Sequence, residues 1–283
     1  MALSILTNTA ATGAVNDLSK ATQKNQESLA KLSSGSRIVK TSDDSGGVAV
    51  SMKLAAAVTR SKAAHSNVLN AISFLQTQGS ALQNVASVLN RMAEIVTSMK
   101  DATQTEADLG NYVAEMTQLA AELQRLREQK FNEIELFGFR GNPPNLVVQL
   151  SEDGSQTCEI SKSDLGSFTF ENIISFSNSF NGIDPLRNAG GLTDEAYLAA
   201  IEITSNLIAD NGAQMSRLTY ALDSISSMQN ALEAANSKVA DLDIAAETTR
   251  LARSTVLLES GSKMLTQANS SAQVALKLMQ GSN

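Results

Sequence analysis

Apolar residues recur at helical spacing over long stretches of this chain. Between residues 68 and 96 they step alternately by three and four positions, which predicts a long helix packed lengthwise against others. The predicted seam is Val68, Ile72, Leu75, Gly79, Leu82, Ala86, Leu89, Ala93 and Val96. Similar runs from Leu218 to Val239 and from Val113 to Leu126 predict two further helices. Periodicity alone leaves any antiparallel helical bundle open.

The two ends of the chain carry thinner apolar stripes. The N-terminal stripe is Val15, Leu18, Thr22, Asn25, Leu29 and Leu32, and the C-terminal one is Leu258, Gly261, Leu265, Ala268, Ala272, Ala275 and Met279. Burial contributes about 25 cal/mol per Å², and ordering costs about 1.5 kcal/mol per residue, so an isolated pair of such helices is marginal. We therefore expect both ends to order against neighbours, with ordinary flexible termini as the alternative.

Helix breakers and aromatic residues concentrate in the middle of the chain. All three Pro and seven of the eight Phe lie there. Alternating residues 146–150 and 157–160 flank Asp153-Gly154, which predicts a β-hairpin. Cys158 and Ile160 share one strand face, so the thiol is predicted to be a small buried hydrophobe. Residues 161–191 are rich in Ser, Asn and Gly and are predicted to have little regular structure.

Composition and charge narrow the function classes. The 283-residue chain has a net charge of −7, one His and one Cys, which excludes a His/Cys metal cluster, a disulfide framework and a basic nucleic-acid binder. His65 has no catalytic arrangement around it, and phosphate-loop, nucleotide-binding and hydrolase motifs are absent. No apolar run is long enough to span a membrane, and residues 1–8 do not form a Sec signal peptide. We expect no catalytic site, metal or cofactor.

Two separated motifs resemble those of the bacterial flagellins. The segment Leu-Ser-Ser-Gly-Ser-Arg-Ile, residues 32–38, is followed by Asp-Asp; the residues that match the family pattern are Ser34, Gly35, Arg37, Ile38, Asp43 and Asp44. The C-terminal match runs from Ala235 to Asn269 and contains Met-Leu-Thr-Gln-Ala-Asn. Phe131-Asn132 resembles the family's Phe-Asn-Gly, although Glu133 replaces the Gly.

This resemblance implies a mainly α fold, a long antiparallel helical bundle or coiled-coil rod with a small β-hairpin insert. It implies that residues 1–43 pair with 242–283 as an inner-core domain, that 44–140 and 192–241 form a helical rod domain, and that 141–191 are a hairpin and reduced variable insert. The chain would then polymerise through its end helices into the flagellar filament. The expected interface residues are Leu3, Leu6, Leu18, Leu29, Leu32, Leu258, Leu265, Ala268 and Met279. Polar Thr22 and Asn25 are hypothesised to set the register between subunits.

The resemblance also implies partners and a location. Flagellins leave the cell unfolded through the flagellar type III export apparatus and are then extracellular, and an export chaperone binds their C-terminal segment. The matching residues are Leu257, Leu258, Met264 and Leu265. Hook-associated and cap proteins are further expected partners. An animal innate immune receptor recognises many flagellins; Arg91, Glu94 and Glu115 match that patch, but Ala93 stands where a second Arg is common, and a solvated filament-packing face is the alternative.

Three other functions compete with a swimming-filament subunit. A junction protein between hook and filament would share both terminal helical segments. A chemoreceptor-like signalling coiled coil would share the Ala, Ser and Gln content, but it needs a membrane anchor or a receptor-contact tip and lacks a mid-chain hairpin. An enzyme is the least favoured, because the sequence offers no catalytic constellation.

Overall fold

The computed structural model describes residues 8–138, 145–166, 168–178 and 194–280, and helices dominate them. The helices are α1 (Thr9–Ser34), α2 (Ser45–Met99), α3 (Glu106–Arg127), α4 (Phe168–Asn178), α5 (Asp194–Ala240) and α6 (Ile244–Gln280). The strands are β1 (Lys130–Phe131), β2 (Ile134–Glu135), β3 (Phe137–Gly138), β4 (Leu146–Gln149), β5 (Thr157–Ile160) and β6 (Ser163–Asp164). The predicted mainly α class is confirmed.

The chain forms two compact units. The first joins residues 1–57 to 231–283, and the second consists of residues 58–230. None of the helices in the described ranges is long and apolar enough to cross a membrane.

The second unit holds the large hydrophobic core. Its α2 segment buries two interleaved rows: Val68, Leu75, Leu82, Leu89 and Val96, and Ala71, Gln78, Val85, Met92 and Met99. Met116, Ala120, Leu123 and Leu126 of α3 are buried, as are Leu218 and Ile225 of α5, so the α3 run and the first part of the α5 run face the core.

The predicted α2 seam is right in one row and wrong in the other. The row that begins at Val68 is buried, whereas Ile72, Gly79, Ala86 and Ala93 are only half-buried. The true second row lies one residue earlier. It was obscured by Gln78, which is polar yet 1% exposed because its carboxamide is hydrogen-bonded inside the core.

The predicted hairpin is present. Strands β4 and β5 are antiparallel, with Leu146 opposite Ile160 and Val148 opposite Cys158. Cys158 and Ile160 are each 1% exposed, which confirms that the thiol is a buried hydrophobe. A parallel pair, β3 with β6, and a second small hairpin, β1 with β2, complete the strands of the described residues.

The prediction of little regular structure over 161–191 is wrong within the described part of that segment. Helix α4 occupies Phe168–Asn178 and buries Phe170, Ile173 and Ile174. These three residues have the helical spacing of one apolar face. The high content of Ser and Asn around them concealed the short pattern.

Candidate assembly surface

Helices α1 and α6 of the first unit pack against each other in antiparallel orientation. Along the pair, Asn8 contacts Ala268, Leu18 contacts Gly261, and Ser28 contacts Glu247. The approach is close: a Cβ atom on Gly261 would lie 3.4 Å from the Leu18 Cδ1 atom. Small residues at such points allow two helix backbones to come near each other.

The seam between these helices combines leucines with small and polar residues. On α1 the inward positions are Ala11, Ala14, Leu18, Ala21, Asn25, Ser28 and Leu32, and on α6 they are Glu247, Leu251, Ser254, Leu258, Gly261, Leu265, Ala268 and Ala272. Both sets follow a heptad spacing. The C-terminal stripe was therefore predicted correctly as far as Ala272, whereas half of the N-terminal stripe was placed one residue too late.

Two polar contacts cross this seam midway along the pair. The Asn25 Nδ2 atom donates to the Ser254 Oγ atom at 3.3 Å and to the Thr255 Oγ1 atom at 3.1 Å. Asn25 thus bonds within its own chain. Nearer the helix start, the Thr22 hydroxyl donates to the Leu18 carbonyl of its own helix.

A buried carboxylate lies where the end of α1 meets the start of α6. Glu247 is 3% exposed; its Oε1 atom accepts a hydrogen bond from the Ser28 hydroxyl at 2.6 Å, and its Oε2 atom lies 3.1 Å from the Arg250 guanidinium. A buried charge needs such partners to offset its desolvation. Sequence reasoning did not assign Glu247 a role, although its place at an inward heptad position was a detectable signal.

Other large apolar side chains of both helices point away from the seam. Seven are exposed to solvent: Val15, Leu29, Ile244, Val256, Leu257, Met264 and Val274. The pattern is sharpest at two adjacent leucines, because Leu257 is 53% exposed and Leu258 is half-buried against α1. Leu257 and Met264 lie one heptad apart, and exposed apolar side chains that recur on one helix face are typical of a surface that a partner covers.

The predicted interface residues thus divide into groups. Leu29 is exposed, whereas Leu18, Leu32, Leu258, Leu265 and Ala268 are half-buried in the seam. Leu3 and Leu6 lie outside the described residues, and the Met279 side chain is likewise outside them. Of the four predicted chaperone contacts, Leu257 and Met264 are exposed and Leu258 and Leu265 face α1.

The six matching motif residues form the joint between α1, α2 and the end of α5. Gly35 ends α1 with a φ of 67°, a left-handed conformation that glycine adopts at low cost. The Arg37 backbone N–H donates to the Ala240 carbonyl at 2.8 Å, and its Nε atom donates to the Val239 carbonyl at 3.0 Å. Leu242 N–H donates in turn to the Gly35 carbonyl at 3.1 Å.

Two aspartates of this motif shape the start of α2. Asp44 accepts from the Gly47 backbone N–H at 2.8 Å and lies 3.5 Å from the Arg37 guanidinium, while Asp43 accepts from the Lys40 N–H at 3.1 Å. The side chains of Ser34 and Ile38 belong to the same joint, in which Ser34 Oγ accepts from the Ser36 N–H. Asp44 thus caps α2, and Asp43 stabilises the turn before it.

The second unit carries the residues predicted to contact the innate receptor. The Arg91 guanidinium donates to Glu115 at 2.8 Å and to Glu94 at 3.0 Å, and all three side chains are exposed. These two hydrogen bonds raise the pKa of Arg91 above its ordinary value. The structure therefore brings the three charges together on α2 and α3.

Comparison with known families matches both ends of the chain. The family region described as the bacterial flagellin N-terminal helical region matches residues 5–139, and the corresponding C-terminal helical region matches residues 195–279. Together they cover more than three-quarters of the sequence. They include the α1–α6 pair and the motif joint.

Individual relatives match over nearly their whole length. The chain is 29% identical to a flagellin of Halalkalibacterium halodurans over 90% of this chain and 91% of that one. It is 28% identical to a flagellin of Bacillus subtilis over 96% and 98%. A solved structure from Vibrio parahaemolyticus, described as flagellar hook-associated, aligns with a TM-score of 0.49 and 17% identity over 71% of this chain and 97% of that one.

Proposed function

The chain belongs to the bacterial flagellin family, the structural subunits of the flagellar filament, and we propose that α1 and α6 form the surface through which its copies assemble. One observation carries this proposal. The two helices pack through a seam that includes Ala, Ser and Gly residues, while seven large apolar side chains on them remain exposed to solvent. Burial of such side chains contributes roughly 1.5–3 kcal/mol each, so covering them with neighbouring subunits favours a polymer. Heterologous contacts of this kind do not close, and a helical filament grows.

Adjacent leucines provide a matched test of the assembly surface. Leu257→Ser removes an exposed side chain, so the free subunit should keep its helix content while filament growth on seeds slows strongly. Leu258→Ser removes a side chain of the seam, so the free subunit should itself lose helix content. Circular dichroism of the free subunit and light scattering of seeded growth measure the two effects. Normal growth of the Leu257→Ser variant would contradict the proposed surface.

Thr22 and Asn25 are predicted to set the register between subunits, but both side chains bond within their own chain, so we propose that Asn25 acts by fixing the register of α6 against α1. Asn25→Leu would replace two hydrogen bonds to α6 by an apolar side chain, which commonly loosens the register of a coiled coil. We expect filaments of altered stability or handedness under the electron microscope. Filaments that are unchanged in both respects would reject the register role.

For the domain organisation we propose the division implied by the family. Residues 1–43 and 242–283 form the inner-core domain, residues 44–140 and 192–241 the rod, and residues 141–191 a reduced insert.

A filament subunit adds repeatedly to a filament seed, whereas a hook–filament junction protein stops after one layer. We expect the purified chain to elongate seeds continuously under the electron microscope, and growth that stops after one layer would favour the junction protein.

Export is proposed to follow the flagellar type III route, with a chaperone on the C-terminal helix and with hook-associated and cap proteins as later partners. Leu257 and Met264 are exposed in the α1–α6 pair, so a chaperone can contact them without opening it. Leu258 and Leu265 are half-buried and become fully accessible only if α6 separates from α1. Chaperone affinity is then compared for Leu257→Ser and Leu265→Ser. A loss at Leu257→Ser alone indicates that the chaperone binds the closed α1–α6 pair, and a loss at Leu265→Ser indicates that it binds α6 separated from α1. Equal affinity of both variants with the unaltered chain would reject these contacts.

The Arg91 cluster is proposed to contact an animal innate immune receptor. The chain offers a matched control, because Arg125 makes a similar exposed ion pair with Glu122 at 2.7 Å. Arg91→Ala should lower the response in a receptor-reporter assay, and Arg125→Ala should not. Equal responses to Arg91→Ala and the unaltered chain would remove Arg91 from the contact.

We propose that the role is structural and that the chain has no catalytic activity. The family supports the first part, and the lack of a catalytic motif in the sequence supports the second. A reproducible positive result in a hydrolase screen would overturn the second part.

A further inference from the structure

An open groove lies in the second unit between α2, the β1–β2 hairpin and β4. It has a volume of about 540 Å³, and its floor contains Ala71, Phe74 and Phe131. All four residues of β4 border it, as does Ile134 on the opposite side. Val147 is 61% exposed and Ile134 is 39% exposed, so two large apolar side chains stand at its rim.

The edge of β4 that does not face β5 has unpaired backbone groups. The Leu150 N–H donates to the Gln156 carbonyl at 2.9 Å, which makes this a hydrogen-bonded pair in the register of the hairpin. Because such pairs alternate in antiparallel strands, Leu146 and Val148 also bond to β5, while the N–H and C=O groups of Val147 and Gln149 point away from it. Within the described residues these four groups have no hydrogen-bond partner.

Carboxamides line the groove around this edge. Asn67 and Asn70 of α2, Asn132 of the β1–β2 turn and Gln149 all border it. In the described part of the chain, none of their side chains makes a hydrogen bond. Each carboxamide carries donors and an acceptor, so together they can bond the main chain of an inserted strand. No charged side chain lines the groove, so a charged ligand would be buried there without a counter-ion.

We propose that this groove binds an extended, uncharged segment of a partner polypeptide, which adds as a strand to β4. Its main chain bonds to Val147 and Gln149 on one side and to the carboxamides on the other. Its apolar side chains alternate, so one set rests on Phe74 and Phe131. Because two walls enclose the edge, a single strand fits the groove better than the edge of a second folded copy. The site uses no residue of α1 or α6 and is independent of the assembly surface.

The test uses the full-length subunit, isotopically labelled and kept unseeded at low concentration. The probe is the blocked pentapeptide Thr-Val-Thr-Val-Thr, and the readout is the NMR shift of backbone amides during titration. We expect shifts at the Val147 and Gln149 amides and at the side-chain amides of Asn67, Asn70 and Asn132. A peptide with Asp in place of Val should bind about tenfold or more weakly, which corresponds to about 1.4 kcal/mol.

Two variants at one position distinguish main-chain hydrogen bonding from nonspecific apolar binding. Val147→Pro removes the outward N–H but no bond to β5, and proline is tolerated where the N–H of an edge strand faces solvent. It should lose peptide binding about tenfold, while Val147→Thr, which keeps the N–H, should retain it; unchanged shifts along β5 verify that the hairpin persists. Equal binding by both variants overturns the proposal. Shifts of the same amides that appear on concentrating the subunit without peptide overturn it too, in favour of pairing between copies.

Discussion

Gln78→Ala is expected to lower the free energy of unfolding of the second unit by about 2–4 kcal/mol. The Gln78 Nε2 atom donates to the Leu136 carbonyl at 2.6 Å, and its Oε1 atom accepts from the Asn211 Nδ2 atom at 2.8 Å. Truncation removes both bonds. It leaves a buried carbonyl and a buried N–H without partners, at about 1–3 kcal/mol for each unsatisfied group.

The surroundings of Asn211 support the upper part of that range. Asn211 is 5% exposed, and its Nδ2 atom also donates to the Leu75 carbonyl at 3.1 Å. The neighbouring Gly79 leaves space for it, because a Cβ atom there would lie 2.9 Å from the Asn211 Oδ1 atom. Little room therefore remains for the carboxamide to turn toward another partner.

Urea denaturation, followed by circular dichroism and by hydrogen exchange of α2 peptides, measures this loss. The control is Gln76→Ala, an exposed glutamine on the same helix, which should change stability by less than about 0.5 kcal/mol. A double-mutant cycle with Asn211→Ala should give a coupling energy of about 0.5–3 kcal/mol. A loss at Gln78 no larger than that at Gln76, or zero coupling, would refute the reasoning.

Three further predictions concern turns and joints. Glu133 has a φ of 66°, so Glu133→Gly should relieve about 1 kcal/mol of backbone strain and raise the urea midpoint; an unchanged midpoint would show that the turn is unstrained. Gly47→Ala places a Cβ atom 2.7 Å from the Ile38 Cδ1 atom and should lower the thermal midpoint, whereas Gly13→Ala, with nothing within 4 Å, should raise it. Hydrogen bonds from the Ser151 hydroxyl and from Ser155 lower the pKa of Asp153 to about 2, so the hairpin should keep its full stability above pH 4 and lose part of it as the pH falls through 2. NMR titration should place the Asp153 midpoint near 2, and Asp153→Asn should remove that pH dependence; a midpoint near 4 would contradict the assignment.

The sequence predicted the helices well because their apolar period extends over many turns. The hairpin and the buried thiol also followed from local pattern, since two short alternating runs flank Asp153-Gly154. The second α2 row was missed because Gln78 is buried by a partner 133 residues away, and no local pattern contains that partner. Helix α4 was missed because three apolar residues in one short segment give too little periodicity.

The inward positions of α6 follow the predicted stripe, whereas half of those of α1 do not. Sequence reasoning placed the larger of two neighbouring residues in the α1 seam, as at Val15 and Leu29. The structure places Ala14 and Ser28 there instead. Size is a sound guide where one chain must fill its own core, and it misleads where two helices approach closely through small residues.

In both α1 and α2, some predicted inward positions lie one residue away from the true ones. The consequences differ between the two units, and the difference supports a role of α1 in assembly. In the second unit the displaced residues Ile72 and Ala93 still pack against a large core. In the first unit Val15 and Leu29 meet no such core and remain about half exposed. Among the described side chains of this pair only Ala21, Ser28, Glu247 and Ser254 are fully buried, so the pair gains further stabilisation when another surface covers the exposed apolar ones. The end helices thus combine small residues at points of close contact, such as Gly261 beside Leu18, with large apolar side chains that a neighbouring subunit can cover.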